Sequence, residues 1–426
     1  MKRKSIYAVI IAIAAVFIEN QAFSQELLSS EMLEVCDSLA MVPPVIRKIS
    51  QSDLAKYSVK TLDYGMTLGI EKTPCGRIWN CFIGGGDNAD AYLLINWSDN
   101  GGKKWTDVKF VVDPHDNSLP FKRRTIVGQL WTDPDGRLWL FMDQAMTYFD
   151  GRSANWCAVC ENPDADEPVW SEPRYIGFGC TLNKPTVMST GEWVLPVSLW
   201  VRSRINVAKE AGWEQSPFTE AHHELDSLRG AHCFVSEDKG HTWEDRSFVC
   251  FPSPSFDEHI FIELEDGRWW MTARTGEGIC QSFSSDRGRT WTAPEHYSAH
   301  VNSRHFITRL QSGDLLIVRH GMPDKKLKGR SHLRAFISDD DGKTWKGCLL
   351  LDERSGISYP TGFQDKDGYI YISYDYERTK CGELYMAKFR EEDILAQQLD
   401  SPKGFLGKLI YRPGRVKFSA ANRKTN

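Results

Sequence analysis

An eight-residue pattern recurs along the chain and constrains its fold more than any other feature. Three segments read Ser-x-Asp-x-Gly-x-x-Trp without exception, and a fourth has Asn in place of the Asp. A fifth keeps only the Trp and the residues after it, at Trp170. The full segments are 236–243, 284–291, 338–345 and, with Asn, 98–105. Repeated units of this kind are typical of propellers and other repeat architectures.

Each full segment, which we call an Asp box, has the chemistry of a hairpin turn. The Asp or Asn side chain can accept hydrogen bonds from N–H groups of its own turn, and Gly can take a positive φ that other residues resist. The Trp is suited to packing between neighbouring sheets. We therefore assign the Asp-box residues structural roles and none in catalysis.

The spacing of the box tryptophans predicts the number of sheets. Successive tryptophans lie 48 to 73 residues apart, which accommodates a four-stranded blade with its loops. Strand-like runs precede the boxes, and Asp-Gly turn signals punctuate them. A last blade without a box fits residues 369–374 and 383–388. The sequence thus predicts an all-β fold, a six-bladed β-propeller of four-stranded antiparallel sheets over residues 56–415.

The N-terminus has the features of a secretory signal peptide. Basic residues at 2–4 precede an apolar stretch at 6–18. The small residues Ala22 and Ser24 then form a cleavage site before Gln25. The apolar stretch is short for a membrane span. We expect export to the periplasm, cell surface or medium, without membrane insertion after cleavage. The remaining predicted segments are a signal peptide at 1–24, a leader with one short helix at 25–55 and a tail at 416–426.

Composition excludes several classes of function. The chain has 52 basic and 57 acidic residues, a net charge of −5, so no basic excess is present to neutralise nucleic-acid phosphates. Eleven cysteines are scattered singly except for Cys157-x-x-Cys160, and a zinc ribbon needs a second such pair. We expect no metal or organic cofactor, and we expect most cysteines to act as small buried hydrophobes.

One segment carries a more specific pattern than the boxes. From Glu258 to Arg274 the chain reads EHIFIELEDGRWWMTAR, a Glu followed by Glu-Leu-x-Asp-Gly-Arg and a strand ending in Arg. Together with the Asp boxes, this layout resembles the sialidase (neuraminidase) superfamily, over residues 60–390. The resemblance implies that Glu258 activates a nucleophile and that Arg274 belongs to a carboxylate-binding arginine cluster. The alternative is that Glu258 is a solvated loop carboxylate and that Arg274 is an ordinary charged residue at a strand end.

The resemblance also implies a tyrosine nucleophile. Sialidases place it eight residues before the Asp-Gly turn of the last blade, and Tyr359 lies eight residues before Asp367. A neutral phenol avoids the repulsion that a carboxylate nucleophile would meet from an anionic sugar. A neighbouring Glu accepts its proton. The alternative is a tyrosine that packs at the rim of an aromatic-rich propeller.

The general acid/base of sialidases is an Asp upstream of the first box. Asp87 follows three glycines and lies eleven residues before Ser98, which matches that place. Such a group protonates the leaving oxygen and later activates water. Asp90 is its rival, since an Asp in a Gly-rich loop often serves only the turn.

Further arginines are expected to hold the substrate carboxylate, because a guanidinium forks onto two oxygens. Arg330 lies in a Gly-Arg-x-x-Leu stretch similar to that of the family, with Arg334 as the alternative. Sialidases carry Arg-Ile-Pro at the start of blade one, but residues 64–69 read YGMTLG. Arg304 is a candidate substitute. Lys184, in an Asn-Lys-Pro stretch, either lines the central mouth or forms an ion pair at a blade start.

These residues predict an exo-acting glycoside hydrolase with a retaining mechanism. Its expected partner is a glycan that carries a terminal carboxylated sugar, with sialic acid as the default, and the enzyme is expected to be a monomer. One alternative is an exo-glycosidase or lyase on a different acidic or uronate-linked glycan. Another is a propeller that binds glycans without catalysis. The enzyme hypothesis requires Tyr359 and Glu258 within hydrogen-bond reach, with Asp87 across the same central funnel.

Overall fold

The computed structural model describes residues 29–205, 218 and 221–415. In these ranges, antiparallel sheets are arranged as a six-bladed β-propeller with few helices, as the box spacing predicts. Each blade uses strands that are consecutive in sequence, because short turns can join antiparallel neighbours. The predicted signal peptide at 1–24 and the predicted tail at 416–426 lie outside the described residues.

The strands follow one another blade by blade. Those of the first three blades are β2 (Met66–Lys72), β3 (Ile78–Gly84), β4 (Tyr92–Ser98) and β5 (Phe110–Val112); β7 (Gly128–Thr132), β8 (Leu138–Met146), β9 (Ala154–Cys160) and β10 (Arg174–Phe178); and β11 (Thr186–Val187), β12 (Trp193–Leu199), β13 (Gly230–Ser236) and β14 (Glu244–Val249). Two short strands extend this half, β1 (Arg47–Lys48) beside β5 and β6 (Arg123–Arg124) beside β8.

The second half of the propeller repeats the arrangement without additions. Its strands are β15 (Pro254–Glu263), β16 (Trp269–Thr275), β17 (Ile279–Ser284) and β18 (Glu295–Ser298); β19 (Phe306–Arg309), β20 (Leu315–His320), β21 (Leu333–Ser338) and β22 (Lys346–Asp352); and β23 (Ile357–Gln364), β24 (Ile370–Tyr376), β25 (Glu383–Phe389) and β26 (Phe405–Tyr411). The ring closes between the first and last blades, where Thr67 Oγ1 lies 3.3 Å from Ser373 Oγ.

The described helices are short and peripheral to the sheets. They are α1 (Ser30–Ala40), α2 (Leu54–Tyr57), α3 (Arg202–Ile205) and α4 (Glu391–Ala396), with 3₁₀ turns at Gln51–Asp53 and His223–Leu228. Helix α1, in the predicted leader, begins where the Ser29 hydroxyl accepts a hydrogen bond from the Met32 amide. Its buried face packs against Met146 of blade two. Within the described ranges, no helix is long and apolar enough to cross a bilayer.

The Asp boxes form the turns between the third and fourth strands of their blades. In the box at 284–291, the Ser284 hydroxyl donates to Asp286 Oδ1 at 2.8 Å and accepts from the Gly288 amide at 2.8 Å. Asp286 Oδ1 also accepts from the Thr290 amide at 2.8 Å. In the first box, Asn100 accepts from the Lys104 amide at the same distance. The amide oxygen thus replaces the carboxylate without loss of the turn.

The box tryptophans connect each blade to the one before it. Trp291 of blade four donates from Nε1 to Ser247 of blade three, and Trp345 of blade five donates to Tyr297 of blade four. Trp170 keeps this role although its turn is degenerate, since it packs edge-on against Trp79 of blade one. The structural role predicted for the boxes follows from these contacts, because each turn satisfies its own polar groups.

Candidate active site

Glu258 and Tyr359 have unusual backbone conformations for residues with side chains. Their φ values are 43° and 54°, in the left-handed region. Each interrupts the pairing between the first two strands of its blade, Glu258 between Asp257 and Ile260, and Tyr359 between Ser358 and Thr361. Bulges of this kind redirect side chains, and strained conformations concentrate at functional sites. The two residues singled out by sequence therefore lie at matching irregularities in blades four and six.

Three arginine side chains lie around the Tyr359 ring. The guanidinium carbons of Arg378, Arg304 and Arg330 are 4.0, 4.8 and 5.7 Å from the ring centroid. Burial, followed by the positive charges of Arg274 and Arg378, lowers the pKa of Arg330 to about 10. Arg274, Arg330 and Arg378 thus act on one another electrostatically. Such a concentration of positive charge favours an anionic ligand.

Glu258 is fully buried and paired with Arg274. Arg274 Nη1 donates to Glu258 Oε1 at 2.9 Å, and Glu258 has 0% exposure, so it is not a solvated loop carboxylate. Burial lowers the pKa of Arg274, but the charges of Glu258 and Tyr359 raise it above its ordinary value. Among the described residues, Glu258 Oε2 has no hydrogen-bond partner. One oxygen is therefore held by the cation while the other remains available to accept a proton.

The Tyr359 hydroxyl does not bond Glu258 directly. Within the described part of the chain, Glu258 has Arg274 as its side-chain partner and its second oxygen has none. Tyr359 and Glu258 instead act on the same arginine, whose pKa both of them raise against the effect of burial. The hydrogen bond that the sequence hypothesis requires is thus not formed in this structure. Catalytic hydrogen bonds are often long in the empty state and shorten when substrate binds.

Asp87 approaches the same site from the first blade. It follows β3 in the Gly-rich loop, is partly exposed, and accepts a hydrogen bond from the Tyr148 hydroxyl at 3.3 Å. Asp87 Oδ2 lies 3.7 Å from Nη1 of Arg378, the residue whose guanidinium also lies against the Tyr359 ring. Burial, followed by the charges of Asp87 and Tyr359, raises the pKa of Tyr148 well above its usual range. Asp87 and Tyr359 therefore belong to one electrostatic cluster.

Asn302 fixes the orientation of two of the arginines. Its side-chain oxygen accepts from Arg274 Nε at 2.6 Å, and its backbone oxygen accepts from Arg330 Nη2 at 2.9 Å. Arg330 also donates to the Ser358 hydroxyl at 2.9 Å, directly beside Tyr359. These contacts hold the guanidinium groups before any ligand arrives, so a bound anion need not order them.

Arg304 supports Tyr359 from within the protein. It is 1% exposed, and its guanidinium donates to the backbone oxygens of Leu182 and Tyr359 at 2.8 and 2.9 Å. Burial is the main reason that its pKa lies below the ordinary value. Because its donors are directed to backbone, Arg304 stabilises the strained turn at Tyr359. The substitute for the absent first-blade arginine must come from elsewhere.

Arg378 fills the place that sequence reasoning left open. It lies two residues after β24, the second strand of blade six, whereas Arg274 lies within β16, the second strand of blade four. Arg378 also contacts Met66 Sδ, in the YGMTLG stretch that stands where sialidases carry Arg-Ile-Pro. An arginine from the last blade thus contacts the stretch of the first blade that lacks one. In register, Asp375 rather than Arg378 corresponds to Arg274, because each pairs with the residue just before its blade's bulge. The signal available in the sequence was only a basic residue two positions after a buried β24.

The structure places three other predicted binding residues away from this cluster. Asp90 is exposed and forms an ion pair with Lys122 at 2.5 Å. Arg334 donates to Cys348 Sγ at 3.0 Å, beside the outer strand of blade five. Lys184 binds Glu71 and lines a cavity of about 650 Å³ whose lining includes none of the cluster residues. The geometry therefore favours Asp87 over Asp90 and Arg330 over Arg334.

A group of buried histidines packs close to Arg274. His300, His305 and His320 are all at most 1% exposed, and their rings lie 5.5 to 6.2 Å apart around His300. Burial, followed by nearby arginines among other charges, lowers the pKa of His305 and of His320 to about 3. They are therefore neutral and add no charge to the arginine cluster. In the described ranges, no group of three or more His, Cys, Asp or Glu residues is placed to hold a metal.

The fold and this cluster define a sialidase-like β-propeller. The chain belongs to the BNR repeat-like domain family, whose model matches residues 76–372. No curated protein matches the sequence.

Solved structures share the architecture at low sequence identity. A protein of unknown function from Dyadobacter fermentans is 18% identical, with 78% of this chain and 94% of that chain covered and a TM-score of 0.51. The intramolecular trans-sialidase from Ruminococcus gnavus is 13% identical, with 83% and 99% covered and a TM-score of 0.58. The NanB sialidase from Streptococcus pneumoniae is 12% identical, with 83% and 71% covered and a TM-score of 0.56. At such identities the similarity establishes the fold, and function must be argued from the site.

Proposed function

We propose that this protein is an exo-acting glycoside hydrolase that releases a terminal carboxylated sugar, with sialic acid as the default substrate. One observation carries the proposal. Tyr359 and Glu258, the predicted nucleophile and its activating partner, occupy left-handed bulges on two blades and both act on Arg274. The predicted signal peptide is consistent with a substrate outside the cytoplasm.

The arginine cluster is the proposed site for the sugar carboxylate. Arg274, Arg330 and Arg378 come from three different blades and influence one another's charge. Guanidinium groups bind carboxylates through paired, charge-assisted hydrogen bonds. Arg378 supplies the third cation that the first blade lacks, so the absence of Arg-Ile-Pro is compatible with an acidic sugar.

In the first chemical step, the Tyr359 oxygen attacks the anomeric carbon. Its proton passes to the free oxygen of Glu258, and the bond from the anomeric carbon to the leaving oxygen breaks as Asp87 protonates that oxygen. In the second step Asp87 takes a proton from water, the water oxygen attacks the anomeric carbon, and the sugar–Tyr359 bond breaks as Glu258 returns its proton. Two displacements retain the anomeric configuration.

One observation favours a second candidate, a propeller that binds acidic glycans without cleaving them. The Tyr359 hydroxyl makes no hydrogen bond to Glu258 in the described structure, and a binding protein needs none. The arginine cluster alone would hold the ligand. A different acidic sugar, such as a uronate, is the alternative substrate within the enzyme hypothesis, because residues 64–69 lack the arginine of the family pattern.

The test is hydrolysis of an aryl α-sialoside and of an aryl glucuronide by protein that lacks residues 1–24. The proposal predicts release of the aryl group from one of them, with loss of turnover in both Tyr359→Phe and Asp87→Ala. The variant Arg268→Gln, at an exposed pair with Asp266, is the folding control. Binding of both sugars without turnover would support the non-catalytic candidate and contradict the hydrolase.

A further inference from the structure

Asp87 and Arg378 form an ion pair inside the proposed active site. Their closest charged atoms are 3.7 Å apart, within the range at which opposite charges stabilise each other. A general acid must carry a proton, whereas an adjacent guanidinium favours the ionised carboxylate. In the empty site, the positive charge of Arg378 therefore opposes the addition of a proton to Asp87.

The other groups that face Asp87 do not replace this cation. Tyr148, in the turn after β8, donates its hydroxyl to Asp87 Oδ1. Tyr64, just before β2, lies near both Asp87 and Arg378, and burial followed by the charge of Asp87 raises its pKa above the usual range. Both tyrosines are neutral at physiological pH. Lys122, just before β6, is paired with Asp90, which lies on the loop of Asp87. Arg378 is thus the cation paired with Asp87.

Arg378 has a second carboxyl neighbour and an unused donor. Its Nε lies 3.6 Å from Asp375 Oδ1, a fully buried carboxylate on β24. Among the described residues, Arg378 Nη2 has no hydrogen-bond partner although it is buried. Such a donor is costly to leave unpaired, which favours an incoming acceptor. Asp375 keeps the guanidinium in place while that acceptor competes with Asp87.

We propose that the carboxylate of the substrate takes over Arg378 from Asp87 and thereby causes Asp87 to take up, from solvent, the proton that it later donates. The inference rests on the proposed function and extends it, because it gives Arg378, which binds the substrate carboxylate, a second role that acts through Asp87. The substrate's own charge then switches on the acid. Neutral sugars of the same shape leave Asp87 ionised and are poor substrates, so the protein selects anionic sugars in the chemical step as well as in binding.

The experiment measures protons taken up when a sugar binds. Titration calorimetry in two buffers of different ionisation enthalpy gives the number of protons exchanged between about pH 4 and 7, around and above the ordinary pKa of Asp. The probes are N-acetylneuraminic acid and D-glucuronic acid, each beside its methyl ester. We expect uptake of up to about one proton with the acid that binds and none with its ester.

Three variants separate the coupling from a loss of structure. Asp87→Asn is expected to bind the acid without proton uptake. Arg378→Gln is expected to bind it about 10- to 100-fold more weakly and also without uptake. Arg268→Gln, whose side chain pairs with Asp266 at the surface, retains both binding and uptake. As the pH rises, kcat of the wild-type protein is expected to fall at a higher pH than kcat/KM does. In Arg378→Gln, kcat and kcat/KM are expected to fall at the same pH.

The outcomes distinguish this inference from the proposed function. Proton uptake without hydrolysis of either glycoside supports the coupling and contradicts the hydrolase. Hydrolysis with no uptake, or with equal uptake in Asp87→Asn, overturns the coupling and leaves the hydrolase standing. A protein that binds neither acid overturns both, because the arginine cluster then holds no sugar carboxylate.

Discussion

The Asp-box turns and the central cluster use the same residue types in opposite ways. In the box at 284–291, Asp286 finds its partners within its own turn, and positive φ falls on the exposed Arg287 as well as on Gly288. In the central cluster, positive φ falls on Glu258 and Tyr359, and buried polar atoms such as Glu258 Oε2 have no partner among the described residues. The turns of the first region are satisfied locally, although the indole N–H groups of Trp105 and Trp243 have no partner among the described residues. The second region depends on groups brought from distant blades.

This contrast separates stability from function. Buried polar groups are ordinarily paired, so a region whose turns pair their polar groups within a few residues is built for stability. A region that keeps strained residues and unpaired donors needs the surrounding fold to hold it, and such places tend to bind or react. We therefore expect substitutions in the boxes to change unfolding and substitutions in the cluster to change chemistry.

The largest expected effect is that of Tyr359→Phe, which removes the proposed nucleophile and keeps the ring among its arginines. We expect kcat on the aryl glycoside to fall on the order of 10³-fold or more, with an unchanged unfolding midpoint. Tyr297→Phe is the matched control from the box region, where the hydroxyl donates to the Gly342 oxygen at 2.5 Å. It is expected to lower stability by about 1 kcal/mol and to leave kcat unchanged. A loss of kcat in Tyr297→Phe, together with a loss of stability and unchanged kcat in Tyr359→Phe, would contradict the contrast between the two regions.

Arg274→Gln is expected to lower both the unfolding free energy and kcat. It leaves the fully buried Glu258 without its cation, which costs about 3–5 kcal/mol in comparable buried pairs. Arg268→Gln, at the other end of β16, disrupts an exposed pair with Asp266 and is expected to cost at most about 1 kcal/mol. Urea unfolding followed by tryptophan fluorescence compares the two. Equal effects would show that the pair with Glu258 is not a buried ion pair.

Asp286→Ala tests the boxes as structural elements. It removes the acceptor for the Thr290 amide and for the Ser284 hydroxyl, so we expect a loss of about 1–2 kcal/mol in unfolding free energy. Asp286→Asn is expected to recover most of it, because Asn100 forms the same turn in the first box. Specific activity of the folded protein stays constant in both. A loss of kcat at full stability would assign the box a role in catalysis.

The smallest expected effect is a pH dependence that originates in the boxes. Hydrogen bonds from Thr290 and Thr344 are the main reason that the pKa values of Asp286 and Asp340 are lowered to about 2. The ordinary pKa in the unfolded chain is about 3.9. This contribution to stability is therefore present above about pH 4 and is lost as the pH falls towards 2. The double variant D286N/D340N is expected to unfold with a shallower dependence on pH over that interval.

The sequence predicts the locally determined region well. Each Asp box lies within eight residues, so its turn, its Trp and hence the number of blades can be read without distant information. The fold class, the six blades and the family resemblance are confirmed. The degenerate turn before Trp170 departs from this regularity, because Asp164 there bonds the Cys75 amide of blade one at 3.0 Å.

The candidate site is less predictable because its members meet only in the closed ring. Glu258 and Arg274 belong to one motif and could be found together, whereas Arg378 has no motif and gains its place through the contact of blade six with blade one. The direction in which a side chain points is the other property that the sequence does not predict. Lys184 lies in a family-like stretch and Arg334 directly follows one, yet Lys184 binds Glu71 beside the cavity and Arg334 binds Cys348. The catalytic roles of Tyr359, Glu258 and Asp87 remain predictions.

The most direct measurement of the central claim is covalent capture on Tyr359. A sialosyl fluoride with a second fluorine next to the anomeric carbon forms the glycosyl-enzyme faster than the intermediate breaks down, so the intermediate accumulates. Peptide mass spectrometry then locates the sugar. The account predicts one sugar on the peptide that contains Tyr359, and none in Tyr359→Phe. A label on any other residue, or the absence of a label from a protein that hydrolyses the sialoside, would contradict the account.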